Sequence, residues 1–296
     1  MRVGICGTGK MGSAIAERLM EEGRQVSVWN RTRGRAQPLL DQGAEFAENP
    51  AALAAGCDAV ISMVIDDDAV AAVYEGDGGL LSADLGDTLI VEMSTIRPQT
   101  SERVADGVRG AGGRFVECPV GGSVQPARKG QLLGLAGGAV TDVEAARPLL
   151  EQLCRRLEHV GPVGAGAAMK LAVNLPLVVY WEAVGEALAI AGSAGIDLSL
   201  AADILGDTSG TIKVAPGRLP RIVDVVNGAM PDAAAFSMSG MAKDLRLMCG
   251  VAAGHNIAAP VAVAAFASYE AAIVDGWGER EGVLLSAWRV LQTPED

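Results

Sequence analysis

The chain has 296 residues, half of them hydrophobic and few of them aromatic, which is enough for two domains or one large one built on small side chains. A formal charge of −12 excludes a nucleic-acid-binding surface, which needs a basic face, and favours solubility. The five cysteines (6, 57, 118, 154 and 249) are scattered, odd in number and without metal-ligand spacing; they read as buried free thiols of a reducing compartment, with no metal expected.

Residues 1–6 predict a short buried strand that runs directly into Gly7-Thr8-Gly9-Lys10-Met11-Gly12. An amphipathic helix follows over 13–22, then a second strand over 25–29. G-x-G-x-x-G between a strand and a helix is the fingerprint of a dinucleotide site. Gly7 permits the tight turn, Gly9 lets the backbone approach a pyrophosphate, and Gly12 lets helix and strand pack closely. The first-turn amides then face the phosphates with the positive end of the helix dipole.

The second strand ends in Asn30-Arg31-Thr32, with Arg33 and Arg35 beyond. An NAD site of this kind expects an acid there to accept from the ribose hydroxyls. A carboxylate repels a 2′-phosphate, whereas a guanidinium binds one through paired donors, so the sequence points to NADP(H). Because the fingerprint begins at once, no leader is expected and the location reads as cytoplasmic. The longest apolar run, 171–181, contains Asn174 and Pro176 and reads as too short to span a bilayer, so no membrane is expected.

Further strands are predicted over 59–65, 88–92, 114–117, 132–136 and 156–160, with helices between, for example over 100–109 and 141–153. Gly137-Gly138 and Gly161-Pro162 read as turns. In Asp66-Asp67-Asp68, Asp67 or Asp68 is expected to cap the next helix, the others being solvated. Alternating strands and helices imply an α/β domain with a mostly parallel sheet. After Gly161 strand patterns stop and helical ones take over, starting with 166–194. The expected organisation is an N-terminal dinucleotide-binding domain over 1–162 and an all-helical domain over 163–296.

The first of those helices carries Lys170 and Asn174, four apart and therefore on one face. Trp181 lies further along it and is a candidate pocket wall. Asn is a poor interior helix residue and an ammonium in apolar surroundings is costly without partners. One reading is a snorkelling surface lysine beside a helix-bonded Asn. The other is a general acid: when hydride reaches a carbonyl carbon, a nearby ammonium stabilises and protonates the oxygen. An ordinary lysine titrates near about 10.4 and is already charged at neutral pH, which favours reduction.

The segment 117–127 follows a strand and exposes consecutive amides at Gly121, Gly122 and Ser123, fit to grip a carboxylate or to serve as a structural loop. Lys243 sits near a helix start, as a surface charge or a site cation. His159 and His255 lack partners in any motif, and nothing near Cys118 would lower its pKa.

Taken in order, Gly7-x-Gly9-x-Met11-Gly12, Ser94-Thr95, Pro119 to Ser123, Gly130-Gln-Leu, Lys170-x-x-x-Asn174 and Lys243-Asp244-Leu resemble the β-hydroxyacid dehydrogenases over nearly the whole chain. The resemblance implies a Rossmann domain, a long interdomain helix, an all-α second domain and a homodimer or homotetramer. It implies Lys170 as the catalytic lysine, Asn174 as its substrate-positioning neighbour, Thr95 beside the nicotinamide ribose and Lys243 as a cofactor or substrate contact. Gly121 replaces the family's usual Ser, and Pro176 is expected to kink or open the long helix. The expected cofactor set is therefore residues Gly7 to Gly12, Asn30, Arg31, Thr32, Met63, Val64, Thr95 and Lys243. The expected substrate set is Gly121, Gly122, Ser123, Lys170, Asn174 and Trp181. The function read from this set is NADPH-dependent reduction of a small carboxylate-bearing aldehyde or keto acid. Imine reduction and non-catalytic dinucleotide binding are the alternatives.

Overall fold

The structure, a computed structural model, describes residues 1–229 and 234–292. It divides into two compact units, Met1–Lys170 and Leu171–Asp296. The line at 162 drawn from the loss of strand pattern falls just after the last strand, whereas compactness divides the chain inside the following helix.

The first unit opens with β1 (Arg2–Cys6), α1 (Lys10–Glu21), β2 (Gln25–Trp29), α2 (Gln37–Leu40), β3 (Glu45–Phe46) and α3 (Pro50–Ala55). It continues through β4 (Ala59–Ser62), α4 (Asp67–Glu75), β5 (Leu89–Glu92), α5 (Pro98–Gly110) and β6 (Arg114–Glu117). Next come β7 (Val120–Gly121), α6 (Val124–Arg128), β8 (Leu132–Gly138), α7 (Val140–Leu150) and β9 (Cys154–Gly161). The sheet order is β3-β2-β1-β4-β5-β6-β8-β7, with β9 paired to β8. The first six strands are parallel, a doubly wound arrangement that reverses direction between β1 and β4 and so leaves a crevice at their carboxyl ends. Every residue of β4 and β5 is buried, as expected for parallel strands covered by helices on both faces.

Several local expectations change. β3 and β7 have two residues each, too short to carry an alternating pattern, and β8 runs antiparallel to β6 and β7. Gly137 and Gly138 end β8 instead of forming a turn. Asp66 caps α4, accepting from the Ala69 amide at 2.8 Å. Asp67 instead reaches the start of α5, accepting from the Arg97 amide at 3.0 Å and from the Thr100 hydroxyl, and Asp68 alone of the three is exposed. A side chain free to choose between two nearby helix starts cannot be assigned by spacing alone.

The second unit is helical: the bulk of α8 (Ala165–Ser193), then α9 (Leu198–Gly206), α10 (Leu219–Val226), α11 (Met238–Gly254), α12 (Pro260–Ala272) and α13 (Leu285–Leu291). α8 runs without a break through Pro176, whose missing N–H leaves the Ala172 carbonyl without its helical donor. At 29 residues α8 is long and apolar enough to cross a bilayer, which the shorter apolar run did not reveal. Its Leu171, Val178, Trp181, Val184 and Leu188 instead form one wall of this unit's core. Its Glu182 accepts from Ser268 at 2.7 Å and from Arg289 at 3.1 Å.

Candidate functional site

The carboxyl ends of β1 and β4 build one half of the site. Gly7 has φ +97, and a Cβ there would lie 3.1 Å from the Met63 carbonyl carbon and overlap its oxygen. A Cβ on Gly12 would lie 3.0 Å from the Gly7 carbonyl carbon and overlap its oxygen. These two glycines are fixed by the chain's own packing. Gly9 differs: a Cβ there would meet nothing within 4 Å. That open volume stands at the start of α1, where the N-cap residue Gly9 has no side chain to offer the first-turn amides, and the Thr8 hydroxyl is buried with no partner among the described residues. A helix start with glycine at its N-cap, an open Gly9 face and an orphaned Thr8 hydroxyl fit a dinucleotide pyrophosphate. Lys10 is exposed beside them, and Met11 is partly buried against the core.

Asn30 at the end of β2 has a role that spacing did not reveal. Its Oδ1 accepts from the Thr8 amide at 3.0 Å and its Nδ2 donates to the Thr32 carbonyl at 2.9 Å. The side chain therefore ties the glycine turn to the loop after β2. An Asp could keep the first bond and not the second. Arg31 and Thr32 are exposed on the same loop, and Arg33 stacks on Phe46 at 4.4 Å.

The next loops are tied likewise. The Val64 amide donates to Ser94 Oγ at 2.9 Å, and the Ser94 amide donates to Glu92 Oε1 at 2.7 Å. Met63 and Val64 thus stand beside Gly7, with Thr95 next to Ser94 and partly buried. Glu92 lies in the sheet, where burial pushes its carboxyl above the usual range against the bond from the Ser94 amide.

The 117–127 segment becomes β7, the Gly122 turn with φ +129, and α6, whose N-cap position is held by Ser123 without a side-chain capping bond. Gly121 is partly buried, and Gly122 and Ser123 are exposed. The nearest atoms to a Cβ on Gly121 would be those of Leu133, from 3.5 Å outward, an ordinary contact, so packing does not require glycine there. Cys118 is fully buried and burial pushes its thiol well up, as it does that of Cys154, to about 12. Cys249 is the exception to the expected burial, being partly exposed.

Lys170 closes the first unit at 8% exposure, and Asn174 follows one turn along the same helix at 8%. Within the second unit Asn174 Nδ2 donates to Asp244 Oδ2 at 2.9 Å, and Lys243 Nζ lies 2.9 Å from Asp244 Oδ1. Asp244 is nearly fully buried on α11 and gathers both residues. Its signal in the sequence was an acid on an apolar helix face, directly after the lysine that drew the attention. Trp181 is fully enclosed and belongs to the core of its unit, so it is no wall open to a ligand.

Residues 2–161 match the NAD binding domain of 6-phosphogluconate dehydrogenase, and residues 164–284 match the NAD-binding domain of NADP-dependent 3-hydroxyisobutyrate dehydrogenase. Glyoxylate/succinic semialdehyde reductase 1 of Arabidopsis thaliana is 34% identical over 94% of this chain and 95% of its own. The chain belongs to the β-hydroxyacid dehydrogenase family. The 3-hydroxyisobutyrate dehydrogenase of Pseudomonas aeruginosa is 31% identical over 88% of each chain. In fold, a 3-hydroxyisobutyrate dehydrogenase from Salmonella typhimurium superposes with a TM-score of 0.85 at 23% identity, covering 97% of this chain and 99% of that one. This member is therefore an NAD(P)-dependent oxidoreductase acting at CH–OH carbon.

Proposed function

We propose that this family member reduces a small aldehyde or keto acid bearing a carboxylate, with NADPH as donor and Lys170 as general acid. The observation that carries the reading is the pair Lys170 and Asn174, both nearly buried on one face of α8, with Asn174 held by Asp244. An ammonium at this place can stabilise and protonate an oxygen that gains charge as hydride reaches its carbon. When bound, the reduced nicotinamide supplies the hydride. Gly9, the first-turn amides of α1 and the Thr8 hydroxyl would hold its pyrophosphate, and Arg31 the 2′-phosphate. The amides of Gly121 to Ser123 would bind the substrate carboxylate, and Asn174, its amide nitrogen committed to Asp244, would present its oxygen to orient Lys170 or a substrate hydroxyl. Lys243 would contact the cofactor or substrate while paired to Asp244.

Exposed Ile190, Leu200, Ile204, Val261, Val263 and Val274 support self-association through the helical unit as a dimer or tetramer. A cytoplasmic location is part of the same proposal.

The deciding experiment compares Lys170→Ala with the parent on a panel of semialdehydes, keto acids and one cyclic imine, with NADPH and with NADH. The expected result is carbonyl reduction with NADPH, falling by about a thousandfold or more in the variant while NADPH affinity persists. Near-full carbonyl reduction by Lys170→Ala overturns the mechanism. Turnover of the imine alone, or of nothing despite tight NADPH binding, overturns the substrate class.

A further inference from the structure

Glu117 ends β6 and is 1% exposed, register-paired with Glu92 of β5. Its Oε1 accepts from the Gly166 amide at 2.7 Å, and its other carboxylate oxygen is bonded to the Ser101 hydroxyl of α5. The space it occupies is cleared by glycine. A Cβ on Gly137 would lie 3.0 Å from the Glu117 carboxyl carbon and 2.8 Å from the Pro162 carbonyl oxygen. One on Gly166 would lie 3.1 Å from Glu117 Oε1 and 2.5 Å from the Leu135 carbonyl oxygen. A buried carboxyl is costly unless its oxygens are bonded, and this one sits against the positive end of a 29-residue helix. Strand β6, helix α5 and strand β8 thus converge on the first turn of α8.

Lys170 follows Gly166 by four residues, so the anchored amide lies one turn below it on the same face. The residue after Glu117 begins the segment leading to Gly121. We infer that Glu117 is the positioning residue for Lys170, fixing the height and rotation of the turn that carries it. The inference rests on the proton-donor reading of Lys170. It distinguishes Glu117 from an ordinary helix cap, because a misplacement on the order of 1 Å of a catalytic group costs about a hundredfold in rate, far more than it costs in cofactor binding.

The test uses the full-length enzyme as Glu117→Ala, Glu117→Gln, Ser101→Ala and Lys170→Ala, singly and with Glu117→Ala combined with Lys170→Ala. Glu117→Ala removes the acceptor of the Gly166 amide and is expected to lower kcat by about ten- to a hundredfold while the NADPH dissociation constant, read by fluorescence titration, stays near the parent's. Glu117→Gln keeps an oxygen for that amide and is expected to restore most of kcat. Ser101→Ala, which keeps the carboxyl and the Gly166 bond, is expected to fall between Glu117→Ala and the parent. In the Lys170→Ala background Glu117→Ala should have no further effect on residual turnover. Hydrogen exchange of the Gly166 amide should quicken in Glu117→Ala with or without Lys170. A Lys170→Ala enzyme with parental turnover overturns the proton-donor reading. An inactive Lys170→Ala beside a Glu117→Ala of parental kcat, or one equally impaired in both backgrounds, overturns the positioning role alone. Should Glu117→Ala fail to fold, Ser101→Ala carries the same comparison, and parental kcat in that variant counts against the inference.

Discussion

Gly9→Ala and Gly12→Ala separate what the glycine turn does for the fold from what it does for the ligand. Gly9 has φ −72 and ψ −174, an extended conformation open to alanine, and its Cβ would meet nothing within 4 Å. Alanine there reduces unfolded-state entropy, worth about 0.4–1 kcal/mol, and is a poorer N-cap by a comparable amount. The apo protein should therefore keep its unfolding free energy, read by urea titration, within about 1 kcal/mol of the parent's. The same methyl occupies the volume into which a pyrophosphate must come. Losing one charge-assisted amide–phosphate bond, worth about 1.5–3 kcal/mol, should weaken NADPH binding by about ten- to a hundredfold. Gly12→Ala has the opposite signature, because its Cβ would lie 3.0 Å from the Gly7 carbonyl carbon and overlap the oxygen. Overpacking of that kind costs about 1–3 kcal/mol or more, read as a lower apo midpoint. The assays are urea unfolding without cofactor at fixed protein concentration and fluorescence titration with NADPH. Wild-type NADPH affinity in Gly9→Ala would refute the argument, since the open face of Gly9 would then not be the phosphate position.

Other changes read other parts of the site. Asn30→Asp keeps an acceptor for the Thr8 amide but sets a carboxylate against the Thr32 carbonyl; the NADPH KM should rise by about tenfold relative to that for NADH, and an unchanged ratio would count against the loop as the 2′-phosphate reader. The Cβ of Gly121→Ser has its nearest atoms in Leu133 at ordinary contact distance, so the thermal midpoint should barely move while the KM for carboxylate substrates falls a few-fold, about 1 kcal/mol of added hydrogen bonding. Glu92→Gln addresses pH. Burial raises the folded-state pKa of Glu92, so the stability this group contributes is full below the ordinary carboxylate range, near about 4.3, and is lost as pH rises through the raised value. Gln at that position should flatten the fall in urea midpoint between pH 5 and pH 8. Parallel slopes for the two proteins would exclude Glu92 as its source.

What the sequence by itself determined is local or periodic. Gly7 and Gly12 announce a dinucleotide turn because left-handed backbone at the first and close packing at both admit no other side chain, Gly9 because it leaves open volume at the helix start, and strand–helix alternation announces the doubly wound sheet because its period is carried residue by residue. Lys170 and Asn174 were visible because polar residues on an apolar helical face require an explanation. Only the tertiary structure decided who satisfies them. Asp244 meets Asn174 across 70 residues of chain, and Glu117 meets Gly166 across 49. The choice of Asp66 over its neighbours as the α4 cap, the antiparallel turn of β8 and the enclosure of Trp181 likewise depend on packing. The bonds of Asp244 and Glu117 and the pairing of β8 join groups remote in sequence, fixed by strand register and by which elements pack together. No local pattern encodes such a pairing, and burial makes it costly to leave unmade.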